Sequence, residues 1–106
     1  MARRIKKRYL AIVSEPRQPP SKMMEALLSS YEELFGKLGL ASAGLKLIRG
    51  YQDKGLMIVR CTLESLPKVL LASASIRELN GNETAFRVLA VSGTIKSLMR
   101  KTSSLG

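Results

Sequence analysis

Apolar positions in this chain change period several times, and each change marks an element. Residues 8–14, RYLAIVS, form an apolar, β-prone run that predicts a strand. The segment EPRQPP holds three of the four prolines and ends it. Ser21 is a capping residue type. After it Met24, Leu27, Leu28, Tyr31, Leu34, Phe35 and Leu38 recur at spacings of three and four, the buried face of a helix that Gly39 would stop. Residues 44–51, GLKLIRGY, alternate as a strand, and residues 56–62, LMIVRCT, return after the short turn Gln52-Asp53-Lys54-Gly55 to make a hairpin. Ser65 and Pro67 open a second helix, with Leu66, Val69, Leu70, Ile76 and Leu79 as its stripe and Asn80-Gly81-Asn82 as its end. Residues 84–91, TAFRVLAV, read as a fourth strand. Ser92 or Thr94 then caps a last helix through about Lys101.

This order, βαββαβ with an additional C-terminal helix, is the ferredoxin-like pattern of the α/β (α+β sandwich) class. It places two helices on one face of a four-stranded antiparallel sheet. A chain of 106 residues supports one core, so residues 1–106 are read as a single domain. Residues 1–7 read as a basic N-terminal tail and 102–106 as a disordered one. No apolar run approaches the ~20 residues of a membrane span. The run YLAIV is too short for a signal peptide and is followed by Ser-Glu-Pro. A soluble, cytoplasmic protein with no membrane partner is expected.

Strand parity sorts the side chains. Tyr9, Ala11 and Val13, then Met57, Val59 and Cys61, then Phe86, Val88 and Ala90, form charge-free sets expected to face the two helices. The opposite face then holds Arg8, Leu10, Ile12, Leu56, Ile58, Arg60, Arg87 and Leu89. With only five aromatic residues in the chain, this face offers no aromatic on its central strands, which argues against base stacking as in an RNA recognition motif. Leu10, Ile12, Leu56, Ile58 and Leu89 rimmed by arginine suit a protein interface. The same aliphatics would equally suit a seat for the C-terminal helix.

Charge changes the picture. Eighteen Lys and Arg stand against eight Asp and Glu, a net charge of +10. The excess is placed at the ends: Arg3, Arg4, Lys6, Lys7 and Arg8 at the start, and Lys96, Arg100 and Lys101 near the finish. Such a distribution attracts a polyanion, and nucleic acid, RNA or DNA, is the first candidate; a solvated basic tail is the plainer reading. Arg60 and Arg87 add to it from the strands. The segment Val91-Ser92-Gly93-Thr94-Ile95-Lys96 offers backbone N–H groups, the hydroxyls of Ser92 and Thr94, and the Lys96 amine at a helix start. That is a phosphate-site composition, and also that of an ordinary capped turn.

The chemistry of catalysis is thin. The chain has no His, which excludes a Ser-His-Asp triad, a Cys-His pair and a histidine metal site. Its single cysteine, Cys61, lies in an apolar run and reads as a core residue; it also leaves no intramolecular disulfide. The acids form no metal-binding pair: Glu32 and Glu33 are adjacent and diverge on a helix. No catalytic residue, metal or cofactor is assigned to the protein.

The blocks GLASAGLKLIRGY, KGLMIVRCT and FRVLAVSGTIKSLMRK, with KRYLAIV near the start, resemble the family of protein component 2 of archaeal ribonuclease P. That family includes a eukaryotic subunit shared by ribonucleases P and MRP. The resemblance covers essentially the whole chain; Ala90 departs from it, standing where the pattern has Gly. It implies a ferredoxin-like subunit that is not catalytic alone. It also implies a partner RNA that uses Mg²⁺ to cut the 5′ leader from precursor tRNA, a second, TIM-barrel-like protein subunit, and self-association. Outside the resemblance, two readings stay open: a metabolite-binding ferredoxin-like module, and an RNA-processing factor unrelated to ribonuclease P.

Overall fold

A computed structural model of the chain describes residues 5–105, with side chains through Thr102. The elements are β1 (Lys7–Glu15), α1 (Pro20–Ala43), β2 (Lys46–Tyr51), β3 (Leu56–Thr62), α2 (Leu66–Ala74), a small hairpin of β4 (Glu78–Leu79) and β5 (Asn82–Glu83), β6 (Ala85–Ser92) and α3 (Ile95–Leu105). The main sheet runs β2-β3-β1-β6 with every neighbour antiparallel, the ferredoxin-like arrangement. No helix among the described residues is long and apolar enough to cross a membrane.

Local chemistry explains where the elements start and stop. Pro20 begins α1, where its missing N–H costs nothing. The Pro19 carbonyl accepts from the N–H groups of Lys22 and Met23, so Ser21 lies within the first turn and is not the cap. The helix breaks at Gly36 rather than Gly39. Gly36 has φ 78° and ψ 171°, a region open essentially to glycine alone, and the helix resumes beyond it to Ala43. Gly44, with φ 64°, supplies the left-handed stop. The second helix ends at Ala74, five residues before Leu79, with Ser75 as its C-cap; Asn80 and Gly81, both at positive φ, do not stop it but turn β4 back onto β5. Ser65 makes no side-chain cap to α2. Instead Thr62 Oγ1 accepts the Ser65 N–H at 3.2 Å in the preceding turn. Leu70 is exposed, while Val69, Ala72 and Ser73 carry the buried side of α2. Residues 102–105, expected as a disordered tail, continue α3, and Thr102 Oγ1 donates to the Leu98 carbonyl.

The sheet is buried on both faces. On one side Leu10, Ile12, Met57, Val59 and Cys61 meet Met23, Met24, Leu27 and Tyr31 of α1 and Val69 and Ala72 of α2. On the other side Ala11, Leu56 and Ile58 meet Leu98 of α3, with Tyr9, Val13, Leu89, Ala90 and Met99 around them. Simple parity has therefore inverted β1. Leu10 and Ile12 face α1 and α2, not the opposite side, and Tyr9, Ala11 and Val13 face α3. Arg8 shares the parity of Leu10, as its register opposite Cys61 shows. It lies at the strand's start, so a charge there does not mark an open face. Ala90 also changes side, because a register shift between Ala11 and Ile12 leaves Leu89 as an extra residue in β6. The interface expected at Leu10, Ile12, Leu56 and Ile58 is absent as a surface: all four are buried, the first two by α1 and α2 and the others beneath α3. Leu89 is half-buried at the same edge.

Closure by α3 makes a stability prediction. Leu98→Ala removes a fully buried side chain and is expected to cost about 2–5 kcal/mol. Ile58→Asp places an unpaired carboxylate in the same layer and is expected to unfold the domain. Denaturant melts monitored by circular dichroism check both; a near-native Ile58→Asp variant would show that α3 does not seal this face.

Candidate nucleic-acid interface

The two ends of the sheet differ in charge. At the end where β1 begins and β3 and β6 finish, Lys6, Lys7, Arg8, Lys46, Arg60 and Lys96 come together by register. Lys7 stands opposite Thr62, Arg8 opposite Cys61, and Arg60 lies between Tyr9 and Lys46. Tyr9 in turn stands opposite Ser92, three residues before α3 begins, so the start of α3 and Lys96 belong to this end. The Arg8 guanidinium reaches that turn: its Nη1 donates to the Lys7 carbonyl at 2.8 Å and lies 3.5 Å from where a Cβ would sit on Gly93. Glu64, in the turn after β3, is the acid placed nearest in sequence to these cations.

At the other end cations and acids alternate. Arg87 lies 3.9 Å from Glu15, Lys22 lies 3.4 Å from Glu25, and Arg17 donates to the Asp53 carbonyl at 2.8 Å. These are exposed contacts worth little in stability, but they cancel the field there. The unbalanced charge is at the β1 start.

A model of the Rpp14/Pop5 family matches residues 8–103. The chain belongs to the Rpp14/Pop5 family. The protein named ribonuclease P protein component 2 of Pyrococcus furiosus is 35% identical over 100 residues, spanning 92% of this chain and 83% of that one. The protein of the same name from Archaeoglobus fulgidus is 36% identical over 92% of this chain and 89% of its own length. That from Methanosarcina mazei is 29% identical over 92% and 84%. Among solved structures, a chain of the cryo-EM structure of yeast ribonuclease MRP matches with a TM-score of 0.65 over 98% of this chain and 96% of that one. At 10% identity this is a likeness of fold.

In this Rpp14/Pop5 family member the residues singled out by sequence separate into groups. Lys6, Lys7, Arg8, Arg60, Ser92, Thr94 and Lys96 meet at one end; Arg3 and Arg4 lie outside the described residues. Arg87 does not join them, since its register partner is Val13 toward the far end of β1 and it sits beside Glu15. Arg100 is exposed one turn beyond Lys96 on α3, and Lys101 Nζ donates to the Val91 carbonyl at 2.9 Å. The hydroxyls of the turn are in use. Ser92 Oγ accepts the Thr94 N–H at 3.5 Å, and Thr94 Oγ1 accepts the Ser97 N–H at 3.1 Å, capping α3. The turn is therefore a capped strand-to-helix junction that holds Lys96 at the basic end. Lys46 is the cation that sequence parity missed. A plain hairpin register would set Leu47, not Lys46, against Arg60; a register shift between Leu47 and Arg49 moves Lys46 there.

Cys61 is part of the core beneath α1 and α2, and burial pushes its thiol up from 9.0 to about 11. A neutral thiol is a poor nucleophile and metal ligand. Among the described residues no group of three or more His, Cys, Asp or Glu side chains could hold a metal ion. The shift makes a pH prediction. The unfolded chain loses the thiol proton above pH 9.0 while the folded chain keeps it to about 11. The stabilisation from burying the neutral thiol is thus complete below the lower value and fades as pH rises between them. Cys61→Ala is expected to flatten the alkaline fall in denaturation midpoint over that window. An equal fall in parent and variant would contradict the assignment.

Proposed function

We propose that this chain is a protein subunit of ribonuclease P that holds RNA rather than cutting it. One observation carries the reading: six cations converge at one end of the sheet, while at the other end acids offset them. Family membership and relatives named ribonuclease P protein component 2 support the specific assignment. The RNA performs the removal of the 5′ leader of precursor tRNA, with Mg²⁺ ions held on the RNA, and the protein acts in the cytoplasm. Its work is charge neutralisation. Closely packed RNA phosphates repel, and Lys and Arg that displace counterions let them approach. Phosphate contacts position the chain without reading sequence, which suits a sheet whose faces are both covered and offer no stacking platform.

A protein partner also belongs to this reading: a second, TIM-barrel-like subunit, together with self-association. With the outer sheet face closed, the support for it moves to the helix layer, where Leu34, Leu38, Leu70 and Leu71 are exposed, Leu38 by 89%. Scattered exposed apolar residues are ordinary, but these four stand on the two helices that pack together over one face of the sheet, the layer this reading assigns to the partner.

Three outcomes test this function. The purified chain is expected to cleave no precursor tRNA at any Mg²⁺ concentration; activity that follows the protein through chromatography would contradict it. Changing Lys6, Lys7 and Arg8 together to Gln should flatten the slope of log affinity against log salt by roughly two to three, equally for cognate and unrelated structured RNA. An unchanged slope would remove this end as the RNA surface. Leu38→Asp should leave the melt unchanged while weakening partner binding or self-association in light scattering; an unchanged assembly would exclude the helix layer.

A further inference from the structure

The hairpin of β2 and β3 sets Lys46 directly opposite Arg60 on the face that α3 covers elsewhere. Like charges directly opposite on neighbouring strands repel. Nothing on the adjoining positions offsets them: Arg60 faces Tyr9 on its other side, and the next pair on this face is Lys7 with Thr62. Neither Lys46 nor Arg60 forms an ion pair among the described residues. Arg60 is half-buried, and its Nε is fully buried with no hydrogen-bond acceptor. A buried N–H of a charged group without an acceptor is costly, and buried donors in folded proteins are nearly always satisfied. The pairing is moreover built by the β2 register shift, which costs ladder regularity and brings Lys46 to the Arg60 side.

We infer that Lys46 and Arg60 form a single anion site that takes one phosphate group. Arg60 supplies a fixed, planar set of donors; Lys46, exposed on the edge strand, supplies a mobile point charge. The inference rests on the RNA-holding reading for the source of that phosphate, a phosphodiester of an RNA backbone, but the chemistry fits free phosphate as well. An edge lysine that merely discourages strand pairing would explain Lys46 alone. It would not explain a half-buried arginine set directly opposite it, with no ion pair to either among the described residues.

The test uses the full chain and two probes, inorganic phosphate followed by NMR and ribonuclease P RNA followed by binding titration. Phosphate at constant ionic strength should shift the Arg60 Nε–H resonance and those of Lys46, and chloride should not. Arg60→Gln and Lys46→Gln should each weaken RNA binding roughly tenfold at low salt and flatten the log–log salt slope by about one. Because one phosphate is shared, the double variant should lose less than the product of the two single losses. Arg60→Lys should fail to restore affinity, since it keeps the charge and loses the fork. Arg87→Gln, at the balanced end, serves as the control that leaves affinity unchanged. Losses that multiply, or Arg60→Lys behaving as parent, would overturn the shared site. So would the absence of any phosphate-induced shift at the pair. Parent chain that binds phosphate at the pair but no RNA would uphold the site and remove the RNA function. RNA binding that is strong in parent and untouched in both single variants would uphold the function and remove the site.

Discussion

The contact on which the rest of the structure depends is Leu98 of α3 packed with Ala11 and Ile58. A ferredoxin-like sheet covered by α1 and α2 alone leaves one face to solvent, and here that face is aliphatic. Sealing it with α3 has three consequences. Water is excluded from Leu56 and Ile58, which would otherwise be a hazard for association. The sheet is lost as a platform for bases. And the start of α3, with its Thr94 cap and Lys96, is fixed beside the β1 start, where Arg8 lies over Gly93. Polar work is left to the sheet's end.

That end is basic because acids are placed elsewhere. Glu15, Asp53, Glu78 and Glu83 lie around the far end and its hairpins, where Arg87 lies beside Glu15 and Arg17 donates to the Asp53 backbone carbonyl. An asymmetric field of this kind orients a protein on a polyanion before any contact forms. The relation between fold and function is thus indirect. The core holds the strands in register, the register gathers the cations, and the cations form the end of the sheet proposed to meet phosphate. Nothing in this chain requires it to supply a nucleophile, and the one thiol is held protonated inside the core.

The element order, the β2–β3 hairpin and the final helix were legible in periodicity and turn chemistry, because long amphipathic runs and Asn, Gly and Pro signals are local. The faces were not. Parity was anchored on charge, and Arg8 carried Leu10 and Ile12 to the wrong side although it sits at the strand's start. The two register shifts, at Leu89 in β6 and between Leu47 and Arg49 in β2, are set by cross-strand fit and leave no local mark. They decide the site: one turns Ser92 to the side of Tyr9, and the other brings Lys46 to Arg60. Arg87 and Lys96 looked alike in sequence, as basic residues near the last strand, and only the pairing of strands sends them to opposite ends.

The most direct test of the account is hydrogen–deuterium exchange of the full chain with and without ribonuclease P RNA. Protection is expected at the start of β1, the start of β2, the end of β3 and residues 92–96, with α3 exchanging no faster than in the free protein. Protection centred on residues 76–87, or faster exchange in α3 as it lifts from the sheet to expose Ala11 and Ile58, would contradict it.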